Sequence, residues 1–305
     1  MAIGTLSGSL LTVIFNVLAA RILGPRNFGN LGLVVTVSGI IGVPMGMCQL
    51  GALKYGSGAQ DDSVRSRIIS TLILQVAFIT VGSIAMYLLF SAQLSNVFGI
   101  SAKAMAFAIT YATIIAFFGL NGIFQRILFR IRVVALLNVL QSAVVLAAFL
   151  IFISTNMRSW QAAMFSPYIG NVLLTVIFIV HLRQYIRLQF DRFWSWKILS
   201  YAVITLPASI TAALMGVDRM LIHKFITTAA VGIYNAYYLP SISVSLALWG
   251  IVNIAFFPFA SKSKDKLGIF RNVNKAVRYY YSEAILSSYC NIAKNLLYIA
   301  SYVSA

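Results

Sequence analysis

Carboxylates are what this sequence lacks most: 305 residues hold six Asp and Glu against 23 Lys and Arg, with two histidines. So few acids leave little material for a paired-carboxylate hydrolase or for a hard-cation site. His181 and His223 stand far apart and no HExxH occurs, so the zinc-hydrolase pattern is missing. The two cysteines, Cys48 inside an apolar run and Cys290 near the end, form no CxxC and suggest neither a disulfide framework nor a metal site. They read as small packing residues. A GxxxxGK[ST] loop is absent, which argues against nucleotide hydrolysis. Charged residues make up 10% of the chain, and no polar stretch is long enough to be a soluble domain. These gaps point away from an enzyme and call for no cofactor and no metal.

What fills the chain is apolar: 60% of residues are hydrophobic. Runs of about 20 apolar residues can cross a hydrocarbon core of roughly 30 Å as helices, and they recur along the sequence. The expected fold is an all-α integral membrane protein, a polytopic helix bundle with about 8–9 transmembrane helices. Spans are expected near 3–20, 31–53, 68–90, 104–124, 133–153, 161–182, 198–217 and 229–257. Pro44 is expected to kink the second and Pro167 to break the sixth. No Lys or Arg precedes the first run, so it reads as a retained helix rather than a signal peptide.

Residues 1–182 thus form a first six-helix bundle and 198–257 the first two helices of a second. Between them, residues 183–197 read as a cytoplasmic amphipathic connector, with Trp194 and Trp196 beside Arg192 and Lys197 at the interface. Residues 258–305 are a basic segment and an uncertain ninth helix containing Glu283, Asn291, Lys294 and Asn295. The net charge of +17 does not imply nucleic acid as a partner, because the basic residues fall in breaks between apolar runs. They cluster in the loops after even-numbered spans, from Lys54 to Arg278, which puts those loops and the N-terminus in the cytoplasm.

One pattern occurs twice. NVLAARILGPRNFGNLGLV, from Asn16 to Val34, is an apolar helix, a basic collar, a tight Gly24-Pro25 turn and a second apolar helix. MGVDRMLIHKFITTAAVGIYNAYYL, from Met215 to Leu239, has the same form. A register of 203 positions, the interval between Gly29 and Gly232, also aligns Arg21 with Lys224 and Phe28 with Val231. The repeat implies two related halves, with the glycines as matched packing points. Gly4 and Gly8 mark another face for close helix packing.

Polar side chains within spans are the candidates for a transport path, because lipid offers them no partner. In the first block these are Asn16, Gln49, Gln75, Asn121, Gln125, Asn138, Gln141 and Asn171. For each alone a helix-to-helix hydrogen bond is an adequate account. As a set, amides without acids suit a polar, uncharged cargo such as sugar. Asp218 and Arg219 close the seventh span; either they anchor it at the interface, or Asp218 takes part in ion coupling and Arg219 attracts phosphate. Arg21, and Lys224 as its counterpart, are basic collars suited to anchoring or to cargo.

ARILGPRNFGNLGL, FQRILFRIRVVALLNVLQ, LPASITAALMGVDRMLIHKF and AAVGIYNAYYLPS together resemble the polysaccharide-biosynthesis transporters, the Wzx-like oligosaccharide flippases. These are part of the multidrug/oligosaccharidyl-lipid/polysaccharide exporter superfamily. The resemblance covers roughly residues 1 to 262. It implies two six-helix bundles around a central cavity, flipping a polyprenyl-pyrophosphate-linked oligosaccharide across the bacterial inner membrane by alternating access. It also implies work alongside a polysaccharide polymerase and glycosyltransferases, as in O-antigen synthesis. Relatives have a full second bundle, so this chain reads as a shortened member. The alternatives are a multidrug exporter of the same superfamily and a membrane scaffold that moves no cargo.

Overall fold

A computed structural model of the chain describes residues 2–182, 189–214 and 216–243, and within these every regular element is a helix. They are α1 (Ala2–Gly58), α2 (Asp62–Phe98), α3 (Ala102–Ile127), α4 (Ile131–Ser154), α5 (Trp160–Leu182), α6 (Arg192–Leu214) and α7 (Val217–Phe225). A further helix, α8, covers 228–243. Five of the helices are long and apolar enough to cross a bilayer. The protein is an all-α polytopic bundle of the membrane type.

The pattern of burial is that of a lipid-facing protein. On α2, Phe78, Leu88 and Leu89 are each more than 70% exposed. Such a surface would be a liability in water but is matched to hydrocarbon. Amides instead go inside: Gln75, Asn121, Gln125 and Asn171 are all buried.

As one straight rod, α1 with its 57 residues would reach about 85 Å at 1.5 Å per residue. That is nearly three times a bilayer core of roughly 30 Å, so the helix has to break. It does so at Gly24, where φ is 72° and ψ is 169°. This left-handed backbone favours glycine, and the following Pro25 both disfavours helical dihedrals at Gly24 and suits the first turn of the next helix. The expected polar turn shrinks to a single residue, because Pro25 is already helical.

Helix ends follow local chemistry. Gly99 ends α2 with φ at 65°, its N–H bonded to the Asn96 carbonyl. Ser101 and Ser159 cap α3 and α5 by accepting from Ala104 and Ala162, each at 3.2 Å. Asp191 caps α6 by accepting from the Phe193 N–H at 2.9 Å.

Pro167 behaves differently from the sequence expectation. Pro44 lies within the second arm of α1, where Gly24 is the residue that leaves helical dihedrals, and α5 runs through Pro167 unbroken. Membrane helices tolerate proline where neighbouring helices hold the freed backbone groups. Next to Pro167, Tyr168 ties α5 to α3 by donating to the Phe107 carbonyl at 2.5 Å. The bend in α2 falls instead at Phe90, with φ −127° and ψ 28°, where no proline or glycine marks it.

Small residues set the packing. The first arm of α1 lies on α4, since a Cβ on Gly4 would come within 3.2 Å of the Ala135 methyl and one on Gly8 within 3.2 Å of the Asn138 carbonyl. Its second arm meets α6 where a Cβ on Gly51 would lie 2.7 Å from the Ile198 oxygen. Cys48 is buried among Met45, Leu72, Leu120 and Ile198, a packing residue as expected. Trp194, Trp196 and Lys197 belong to the first turns of α6. The expected ninth helix and residues 183–188 of the connector lie outside the described residues.

Candidate functional site

The two copies of the repeated pattern meet face to face. A Cβ on Gly29 would fall inside the Thr228 carbonyl oxygen, and one on Gly232 inside the Pro25 carbonyl oxygen. Each would also lie 3.0 Å from the other glycine's nitrogen. In the register that superposes Gly29 on Gly232, Pro25 superposes on Thr228. The contact is therefore reciprocal, residue i on j′ and j on i′, as a two-fold relation between equivalent surfaces demands. One position holds this backbone approach from each side, and only glycine fits it.

Beside this contact lies a cavity of about 230 Å³. Both arms of α1 line it, through Thr12, Phe15 and Asn16 on the first and Phe28, Gly32 and Thr36 on the second. Gln141 and Ser142 of α4 face it, as do Tyr111 of α3, Met164 and Pro167 of α5, and Leu239 of α8. Thr12 and Ser142 hydroxyls stand 3.2 Å apart, joining α1 to α4 across the wall. The charged group in the lining is Arg219, from α7.

Arg219 is held by the second copy and reaches the first. Its Nε donates to Asn235 Oδ1 at 2.6 Å, and Nη1 lies 3.4 Å from the Thr36 hydroxyl. The guanidinium also stands over the Tyr238 ring, 4.9 Å from its centroid, and Tyr238 stacks on Tyr234 at 5.3 Å. Asn235 occupies the space left by Gly32, where a Cβ would collide with its amide nitrogen. That nitrogen has no partner among the described residues. Asp218 accepts from the Tyr234 hydroxyl and from the Arg219 backbone N–H, the latter at 2.7 Å. It forms no ion pair among the described residues; the pairs there are Arg65–Asp62 and Arg67–Asp191.

Of the candidate residues, Asn16 and Arg219 line the cavity, and Asp218 adjoins Arg219 without lining it. Gln49 donates to the Ala116 carbonyl at 2.8 Å and packs on Gly119, a helix-to-helix bond. Gln75 does the same towards α6, donating to Ser195 Oγ at 2.9 Å. Asn171 is buried on α5 with its amide nitrogen unpartnered among the described residues, and lies outside the lining. Arg21 and Lys224 are both exposed and both outside the lining. Asn235, Tyr234 and Tyr238 were not singled out from the sequence. Their positions in the repeat could have found them, since they match Gly32, Leu31 and Val35 of the first copy in the common register. Among the described residues no group of acids, histidines and cysteines is suited to a metal ion.

No protein-family model matches the chain, and no curated protein matches it. Two solved structures share its fold. One, described as "protein A", superposes with a TM-score of 0.63 at 12% identity over 85% of this chain. The other, titled as a structure of the MATE multidrug transporter DinF-BH, gives a TM-score of 0.58 at 14% identity over 85% of this chain. This chain spans 63% and 65% of those two chains. At such identities the likeness is one of fold.

Proposed function

We propose that the protein is a membrane transporter of this fold and that its cargo is a pyrophosphate-linked oligosaccharide on a lipid carrier, moved across the bacterial inner membrane by alternating access. The observation that supports this reading is the lining of the cavity: Thr12, Asn16, Thr36, Gln141 and Ser142 around one guanidinium. Amides and hydroxyls match the hydroxyls of a sugar, and a guanidinium matches phosphate through paired N–H donors. Arg219 spends Nε on Asn235 and leans on Thr36 through Nη1, which leaves Nη2 to meet an anion. Asn16 then serves the glycan, and Asp218, which accepts from the Tyr234 hydroxyl, takes part in ion coupling beside it. Arg21 and Lys224 act as interfacial anchors.

At about 230 Å³ the cavity is smaller than the roughly 300–1,000 Å³ of ordinary ligand pockets, so passage of a glycan requires the two hairpins to part. The test is surface-glycan export in a bacterial strain lacking its own oligosaccharide flippase. Export restored by the chain supports the reading, and no export from well-inserted protein contradicts it.

A second reading, multidrug export, has its own support: one fold neighbour is titled a multidrug transporter, and Phe15, Phe28 and Tyr111 give the cavity an aromatic wall. Drug tolerance separates the two. A flippase leaves it unchanged, whereas an exporter raises it with no effect on surface glycan.

A further inference from the structure

A second cluster of cations and rings lies away from the cavity, where the end of α1 meets the start of α6. Lys54 Nζ stands 4.0 Å from the centroid of the Tyr201 ring and 5.4 Å from that of Tyr55. Lys197 Nζ lies 4.2 Å from the Phe193 ring, 5.1 Å from Trp194 and 5.9 Å from the same Tyr55. Tyr55 is thus shared by two ammonium groups, one from each helix, and it packs against Trp194 at 6.1 Å and Tyr201 at 6.3 Å. Cation–ring contacts offset part of the repulsion between the lysines but supply no counter-charge.

Neither lysine has a carboxylate partner among the described residues. The acid nearest in sequence to Lys197, Asp191, is already occupied: one oxygen accepts from the Phe193 and Trp194 N–H groups at 2.9 and 3.3 Å, and the other lies 3.9 Å from Arg67. Next to the cations the surface turns apolar, with Phe193 59%, Trp196 72% and Leu199 41% exposed. In a membrane bundle, Trp, Tyr and Lys together mark the level of the lipid headgroups, and basic residues there attract anionic lipid.

We propose that Lys54, Tyr55, Trp194, Lys197 and Tyr201 form a binding site for the headgroup of an anionic phospholipid. The two ammonium groups meet its phosphate, the tyrosine and tryptophan rings flank it, and an acyl chain runs over Phe193, Trp196 and Leu199. The charge argues for an anionic rather than a zwitterionic lipid. The adjoining apolar strip argues for a lipid rather than a soluble phosphate. The site does not depend on what the cavity carries.

The test is native mass spectrometry of the full chain released from detergent with phosphatidylglycerol, phosphatidylcholine or inorganic pyrophosphate added. The wild type is expected to retain phosphatidylglycerol in preference to phosphatidylcholine. Lys54→Gln with Lys197→Gln should weaken that binding by about thirtyfold, near fivefold per lysine. Lys54→Arg with Lys197→Arg, which keeps charge and fold, should retain it, as should Lys103→Gln, an exposed lysine elsewhere. Equal retention of phosphatidylglycerol by the double Gln variant, or equal binding of phosphatidylcholine by the wild type, overturns the proposal. Displacement of the lipid by inorganic pyrophosphate also overturns it, because the site would then be a general phosphate site.

Discussion

The first hairpin and its second copy share a scaffold but divide the chemistry unequally. Where the first copy has Phe15, Asn16, Leu31, Gly32 and Val35, the second has Asp218, Arg219, Tyr234, Asn235 and Tyr238 in the same register. The glycines at the contact are kept in both, Gly29 and Gly232, and their close approach works equally from either side. The first copy also leaves room for the second: Gly32 vacates the space that the Asn235 side chain fills, and Asn235 then orients Arg219. The two hairpins thus share a symmetric joint, and the second places charge at its edge.

Four sets of variants test the unequal division of chemistry between the two hairpins. Arg219→Ala removes the group proposed to meet phosphate and should lower export at least about tenfold, since a hydrogen bond to a charged group is worth about 1.5–3 kcal/mol. Asn16→Ala at the equivalent position should lower it by only a few-fold, and equal losses would erase the proposed asymmetry. Both are read by the same surface-glycan measurement.

Next come Gly29→Ala and Gly232→Ala, each forcing a methyl into an opposing backbone carbonyl that cannot swing aside. Overpacking of this kind costs about 1–3 kcal/mol. Reciprocal geometry predicts the same loss of thermal stability for both in detergent solution, and a large loss in only one would refute the two-fold relation. Tyr234→Phe takes away the hydroxyl that Asp218 accepts from, for a cost of about 1 kcal/mol, whereas Leu31→Ala at the matching place tests packing alone. Smallest is Thr36→Ala: its hydroxyl sits 3.4 Å from Arg219, and the change should cost about 0.5 kcal/mol or less in the same melts.

Much of the bundle is legible in the sequence because hydropathy and length decide which segments cross a membrane. The start of α3 near residue 102 and the ends of α4 and α5 follow from apolar stretches, whereas the unbroken run of α5 through Pro167 does not. Gly24-Pro25 signals its own turn, and the matched glycines mark points of close helix packing because so few residue types admit it, but that they pack on each other emerges only from the fold. Two features escape such reading. Helix α7 is nine residues with no buried side chain, too short for periodicity to register. The bend at Phe90 arises where no residue type announces it.

The site is less legible than the fold. Eight similar amides in the spans gave no means of ranking, yet Asn16 and Gln141 reach the cavity while Gln49 and Gln75 bond neighbouring helices. That distinction depends on helix rotation and on which partners lie 67 or 120 residues away. Arg219 was found because charge next to a span is rare; Asn235 and Tyr238, which hold it, are ordinary residues until the two copies are laid over each other.

The most direct measurement is an engineered disulfide across the joint. A Cβ at Gly32 would lie 3.2 Å from Asn235 Cγ, close enough for Gly32→Cys and Asn235→Cys to bridge with small adjustment in a chain whose native cysteines are changed to serine. Mass spectrometry of the digested protein after mild oxidation then reports whether the two peptides are linked. A linked pair, formed within one chain, is the expected result. Both thiols remaining free for alkylation after oxidation, in a protein that melts like its parent, would contradict the claim that the two hairpins face each other.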